Sequence, residues 1–513
     1  MLLHHLLERT AAGSPNQEAL VFEGQRWSYA DINLQADRLA AALQQRGVQK
    51  GDRVATFLDN SLEAVVNLWA TLKCGAVFMP INPLTKRDKM AYLLNDARAS
   101  VLIAHAVLLP EIAAALAQNT SVHTVWVVGR APDFQAEDAR LSPLPSLHTD
   151  TASPQAVQLI DQDLAAIIYT SGSTGEPKGV MLSHLNMRSA ARSVSAYLQL
   201  LPTDRIACAL PLAFDYGLYQ VLMAARVGAT VVLERSFAFP VKVLEVMSRE
   251  RVTVFPGVPT MFALLMNLKF IDATRLPQLR LITNTAAALS ERHIQQLRAL
   301  FPQAVLYSMY GLTECKRVTY LPPDQLDIRP TSVGRGMPNE EVWLIDEAGQ
   351  RLPLLPEGAA GELVVRGSHV MRGYWEKPAA TAERLHRDPL TGDTVLHSGD
   401  FFRTDAEGFL YFVARKDDII KSRGEKVSPR EVEDVLCALD GVLEAAVIGV
   451  PDALLGEAVK AFVTLRDGAV LNEREVLRHC LSRMESFMVP KTVIFVDELP
   501  KTDTGKIKKT GLR

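Results

Sequence analysis

The segment Tyr169-Thr170-Ser171-Gly172-Ser173-Thr174-Gly175-Glu176-Pro177-Lys178-Gly179 interleaves hydroxyl side chains with glycines. Backbone N–H and side-chain O–H groups of such a run can converge on phosphate oxygens without obstruction by Cβ atoms. The GxxxxGK[ST] spacing of a Walker A loop is missing. The context differs too. An apolar strand, Leu164–Ile168, precedes the loop, and a second, Val180–Leu182, follows before any helix. On composition alone, a Gly/Ser hairpin at the surface fits as well as a phosphate loop.

Working outward, the first half of the chain alternates helix and strand. Ser28 precedes apolar residues Ile32, Leu39 and Leu43 at helical spacing, with Asp31 three residues after the cap and Gly47 at the end. Arg53–Leu58 reads as a strand, Ser61–Lys73 as a helix opened by Asn60, and Ala76–Pro80 as a strand. The alternation continues through Val101–Ala104, Arg205–Leu210, Thr230–Leu233, Val252–Phe255 and Leu279–Ile282. This predicts an α/β architecture of largely parallel sheets covered by helices on both faces. From about Gly334 the texture shifts to short strands and turns (Val342–Ile345, Gly361–Val365, Gly408–Val413), which predicts an antiparallel, barrel-like subdomain over 334–414. After Arg415-Lys416-Asp417-Asp418 a compact α+β pattern runs to the end. The division predicted is a large N-terminal domain over 1–414, a hinge at 415–418 and a small mobile domain over 419–513.

Bulk properties narrow the function. A chain of 513 residues, 48% hydrophobic and 22% charged, has ample material for a core. Its net charge of −3 offers no general attraction to nucleic acid or anionic membrane, so any phosphate must be held by local geometry. Five scattered cysteines without a CxxC argue against a disulfide framework and for a reducing cytoplasm. The N-terminus lacks a basic region and a clean apolar core, which argues against a signal peptide. The most apolar stretch, Val101 to Ala117, is interrupted by His105, Pro110 and Glu111 and is too short to span a bilayer.

The string Thr170 to Gly179 resembles the phosphate-binding signature of the adenylate-forming superfamily, which includes acyl-CoA synthetases, stand-alone amino-acid adenylation enzymes and luciferase-like enzymes. The resemblance covers essentially the whole chain, because further motifs follow in order. Tyr310-Gly311-Leu312-Thr313-Glu314 resembles YGxTE, and Ser398-Gly399-Asp400 resembles (T/S)GD. Arg415 to Lys421 resembles the family hinge, and Pro500 to Lys506 its C-terminal lysine motif. One segment departs: Asn284-Thr285-Ala286-Ala287-Ala288-Leu289 stands where the family has a glycine-rich adenine loop.

The resemblance implies an enzyme that uses ATP and Mg²⁺ to turn a carboxylate into an acyl-adenylate, then passes the acyl group to a thiol. Attack on the α-phosphorus builds charge on phosphoryl oxygens, so cations and donors must be placed beforehand. Thr170, Ser171, Gly172, Ser173, Thr174, Gly175 and Lys178 are expected at the ATP phosphates. Lys506 is expected to bridge carboxylate and α-phosphate, and Thr313 to add a hydroxyl. Glu314 is the expected Mg²⁺-associated carboxylate. Thr285, Ala286, Ala287, Tyr310 and Gly311 are expected around adenine, Asp400 on the ribose hydroxyls, and Arg415 on the ribose side. The small domain is expected to swing about Asp417 and to present the face around Gly424 to a pantetheine tunnel.

Phe214, Asp215, Tyr216 and Tyr219 fall where the superfamily places its acyl pocket. In amino-acid adenylating members an aspartate after this phenylalanine pairs with the substrate ammonium. An unpaired buried carboxylate facing an alkyl tail is costly, which tips the balance slightly toward an amino-acid-like substrate. A fatty or aryl acyl-CoA synthetase, with Asp215 paired inside the chain, is the alternative. The thiol is expected to be free CoA or the phosphopantetheine of a separate carrier protein, since the sequence ends at Arg513, a few residues past Lys506. A non-catalytic nucleotide sensor is expected to lose Lys506 or Glu314, and both are present. A luciferase-like oxygenase shares the first half-reaction and is not excluded by any motif.

Overall fold

The computed structural model describes residues 1–119, 121–129, 138–147, 153–170, 176–268, 275–353, 360–416, 418–422, 425–452, 456–484, 486–501 and 507–512. The phosphate-loop residues Ser171, Gly172, Ser173, Thr174 and Gly175, the hinge residue Asp417, Gly424 and Lys506 lie outside the described residues.

The alternating first half folds as anticipated. Among the described residues, an eight-stranded sheet is built from parallel strands (Leu164–Thr170, Val77–Pro80, Arg53–Phe57, Ala99–His105, Thr124–Val128, Leu141–Pro143) and closed at one edge by antiparallel Lys178–Ser183 and Gly373–Tyr374. A nine-stranded sheet has six parallel strands at its centre, from Val305–Tyr310 through Leu281–Asn284, Val254–Gly257, Arg205–Cys208 and Thr230–Leu233 to Glu18–Phe22. Apolar residues of both sheets meet one shared core with the helices Tyr29–Gln45, Leu62–Lys73, His184–Tyr197 and Asp215–Val227. Separate apolar clusters cover the other face of each sheet. The layers therefore run helix–sheet–helix–sheet–helix. That is why strands such as Val254–Gly257, buried at every position, carry continuous apolar runs instead of alternation.

Local signals placed most elements within a residue or two. The Ser28 hydroxyl accepts from Asp31 N at 3.1 Å while the Asp31 carboxylate accepts from Ser28 N at 2.8 Å, closing a capping box on helix Tyr29–Gln45. The cap of helix Leu62–Lys73 is Ser61, not Asn60. Asn60 is buried and clamps other strand ends instead. Its Nδ2 donates to Leu210 O at 3.0 Å and Glu234 O at 2.9 Å, and its Oδ1 accepts from Leu212 N at 2.9 Å. An asparagine here satisfies three backbone groups that a serine could not reach together.

The short strands beyond Gly334 form an antiparallel five-stranded sheet that includes Glu340–Ile345, Gly361–Gly367, Thr394–Thr404 and Leu410–Arg415. The C-terminal strands form a further five-stranded sheet with its own apolar cluster beneath helices Pro429–Cys437 and Glu473–Leu481. Among the described residues no helix is long and apolar enough to cross a membrane.

Candidate active site

Strand Val305–Tyr310 ends in a tight turn that brings the expected nucleotide residues together. Lys316 N and Cys315 N both donate to Leu312 O, and Val318 N returns to Tyr310 O. A Cβ on Gly311 would lie 2.2 Å from Lys316 O and 2.9 Å from Arg317 Cα. Only glycine permits that approach, which gives Gly311 a packing reason of its own.

The turn presents Glu314. Its carboxylate accepts from the Tyr374 hydroxyl at 2.7 Å, and its carbonyl accepts from Met371 N at 2.7 Å. Tyr374 stands opposite Val180 in the strand ladder, and the Lys178 ammonium lies 5.5 Å from its ring centre. Burial, then the Glu314 charge, pushes the Tyr374 phenol well above its ordinary value, so it stays a donor. Tyr374, which the sequence reading did not select, thus joins the far strand of the glycine–hydroxyl loop to the Tyr310–Glu314 turn. Thr170, opposite Lys178, holds the near strand of that loop, and Thr313 sits half-buried in the turn. A hard oxygen donor oriented beside a cation and a hydroxyl fits a Mg²⁺–phosphate group, whose part is to neutralise phosphate charge.

Asp400 is buried. Its carboxylate accepts from the Tyr310 hydroxyl at 2.5 Å and lies 3.5 Å from Arg415 Nε, the residue facing it in the ladder. Burial and the Asp400 charge raise the Tyr310 phenol far above its usual range, so the hydroxyl remains a donor. The ring that the sequence assigns to adenine is therefore pinned by its own hydroxyl to the carboxylate assigned to ribose.

In the departing loop, Ala286 adopts φ +75°, a left-handed conformation natural to glycine and strained for alanine. Asn284 Nδ2 closes the loop by donating to Ala287 O at 2.9 Å. Thr285 is buried and accepts from Arg317 Nη1 at 3.3 Å.

Phe214 precedes helix Asp215–Val227 without a side-chain cap, and Asp215 opens its first turn. Here the structure corrects the ground for the amino-acid preference. Asp215 is not an unpaired carboxylate: Lys316 Nζ lies 3.0 Å from it. The same ammonium sits 3.9 Å over the Tyr219 ring, and the Arg317 guanidinium sits 4.6 Å over the Tyr216 ring. Tyr216 itself donates to Thr283 O at 2.8 Å. Sequence reasoning missed Lys316 and Arg317. Their signal was two adjacent cations inside the otherwise apolar run that follows Glu314.

Two α/β sheets packed on one shared core, with the Tyr310–Glu314 turn bridged by hydrogen bonds to Asp400 and to Tyr374 beside the Lys178 strand, define the adenylate-forming class of ligases. A family model described as AMP-binding enzyme matches residues 7–375, and one described as AMP-binding enzyme C-terminal domain matches 431–506. The chain belongs to this family of AMP-binding enzymes. It is 31% identical over 536 residues to a long-chain-fatty-acid–CoA ligase of Bacillus subtilis, covering 99% of this chain and 94% of the relative. It is 35% identical over 515 residues to a feruloyl-CoA synthase of an Amycolatopsis species, covering 98% and 97%. The crystal structure of ATP-bound MatB from Rhodopseudomonas palustris superposes with a TM-score of 0.89 at 32% identity, covering 100% of this chain and 98% of that one. The protein is an AMP-forming acid–thiol ligase that uses ATP, Mg²⁺ and a thiol acceptor.

Proposed function

We propose that the enzyme is an acyl-CoA ligase whose acid carries no ammonium group, with free CoA as the acceptor. The observation that carries the first part is the Lys316–Asp215 contact at 3.0 Å. A carboxylate already supplied with a cation does not need one from the substrate. CoA as acceptor is supported by the relatives, which are named as CoA ligases and match over nearly their whole length.

In the first half-reaction a carboxylate oxygen of the acid attacks the α-phosphorus. An acyl–O–P bond forms, the α–β bridging bond breaks, and pyrophosphate leaves. Ser171 to Gly175 and Lys178 hold phosphate oxygens, Asp400 accepts the ribose hydroxyls, Arg415 flanks the ribose, and Thr285 to Ala287 border the base. Lys506 stabilises the charge that grows on the α-phosphate, where a flexible ammonium suits a moving charge. In the second half-reaction the CoA sulfur attacks the acyl carbon and AMP leaves. Rotation about Asp417, within the 415–418 hinge between 1–414 and 419–513, withdraws Lys506 and brings Gly424 to the thiol path. Five free cysteines, four of them buried, suit a reducing cytoplasm.

The test is ATP–pyrophosphate exchange with fatty, aryl and amino acids, followed by thioester formation with CoA or with a pantetheinylated carrier protein. Exchange with acids that carry no ammonium group and transfer to CoA are expected. Exchange confined to amino acids, or transfer confined to the carrier, overturns the proposal.

A further inference from the structure

Lys316 and Arg317 are 2% and 3% exposed. Such burial strips both cations of water, and an ion taken out of water needs a partner of opposite charge with directed hydrogen bonds. Asp215 lies 3.0 Å from Lys316 Nζ, while the Nε of Arg317 meets no acceptor among the described residues. Among the described residues, Arg317 Nη1 donates to the neutral Thr285 hydroxyl at 3.3 Å. Other buried acids of this region are engaged elsewhere. Glu340 lies 2.9 Å from His369, and Asp400 takes Tyr310 and Arg415. The rings of Tyr219 and Tyr216 supply aromatic faces, worth much less to a desolvated cation than a full counter-charge.

The three segments that enclose the pair are the helix start at Asp215 to Tyr219, Thr285 of the 284–288 loop, and the turn after Glu314. On the reading given above the first borders the acyl group and the other two border the base and the phosphates, so the pair sits where acyl group and nucleotide meet, and the present inference rests on that reading. We propose that Lys316 and Arg317 form an anion subsite of the acyl pocket, and that the acid this enzyme activates carries a second anionic group, such as a second carboxylate. The subsite sets two buried cations against one carboxylate, with Arg317 Nε lacking an acceptor among the described residues. This arrangement repels an ammonium, leaves an alkyl end facing excess positive charge, and is completed by an anion.

The test compares matched acids in ATP–pyrophosphate exchange: malonic, succinic, glutaric, adipic and terephthalic acids, each against its monomethyl ester. A site built around polar groups rejects an analogue that leaves them unpaired. The best diacid is therefore expected to exceed its ester by at least about 10²-fold in kcat/KM. Arg317→Met and Lys316→Met should shrink that ratio toward unity, chiefly by raising KM for the diacid, and Arg317→Lys should retain part of it. The wild-type comparison decides the matter even where a buried variant fails to fold. Esters or simple monocarboxylic acids that match or outrun the diacids overturn the anion subsite while leaving the ligase intact. A ratio undiminished in folded Arg317→Met and Lys316→Met variants overturns it as well. Exchange with no acid at all would remove the ligase reading itself, and the subsite with it.

Discussion

The Lys316 ammonium lies 3.0 Å from the Asp215 carboxylate and is sandwiched against the face of the Tyr219 ring. Asp215→Ala would strand Lys316 without its counter-ion. Removing one partner of a buried pair typically costs about 3–5 kcal/mol, and a loss of that order is expected in urea unfolding, with Asp215→Asn losing less. A loss below about 1 kcal/mol, in the range of exposed pairs, would mean that Asp215 serves the substrate and not the chain.

Stability should depend on pH through Lys316. Burial, opposed by Asp215 and assisted by Arg317, lowers its pKa from 10.5 to about 7 in the folded chain. Between those values the unfolded chain binds the extra proton, so the contribution of Lys316 to stability rises with pH across that window. Below it both states are protonated and the contribution is flat. The limiting slope is about 1.4 kcal/mol per pH unit. Urea midpoints of wild type and Lys316→Met at neutral and alkaline pH should diverge in slope. Parallel pH profiles would refute the assignment.

Tyr310→Phe removes the 2.5 Å hydrogen bond to Asp400. A hydrogen bond to a charged group contributes about 1.5–3 kcal/mol, so the carboxylate proposed to face ribose loses its orientation. The expected result is a KM for ATP raised by about tenfold or more, with a smaller change in kcat. An unaltered KM would leave the tyrosine a packing role alone.

Ala286 sits at φ +75°. Glycine relieves a left-handed residue of roughly 1 kcal/mol of strain, offset in part by its greater freedom when unfolded. Ala286→Gly should therefore leave the melting temperature equal or slightly raised, and Ala286→Val should lower it through the strain a branched side chain adds there. The reverse order would show that the loop changes shape without nucleotide.

Lys506→Ala should depress adenylate formation by about 10²–10³-fold, the usual cost of one lost transition-state contact. Transfer from preformed adenylate should be far less affected. Asp417→Pro, which fixes φ and removes an N–H, should do the opposite. Equal damage to both half-reactions in either variant would sink the alternating-domain reading.

Elements whose signals lie within one turn of the chain were legible from residue order. The Ser28–Asp31 box, the apolar strand runs and the Gly311 turn depend on neighbours a few positions away, so the α/β layering and the nucleotide motifs could be read off directly. Asn60 was misread because its partners, Leu210 and Glu234, are distant in sequence and displaced a cap that Ser61 provides. The charge environment of Asp215 is of the same kind. Whether a buried carboxylate needs a substrate cation depends on what another strand end delivers beside it, and that strand end delivers Lys316. Tyr374 on Glu314 and Arg317 on Thr285 arise likewise, from segments that meet only once both sheets have packed. Chain order dictated the reaction class, because its motifs are local. Tertiary packing decided how the pocket is charged, because electrostatic partners are set by distance in space.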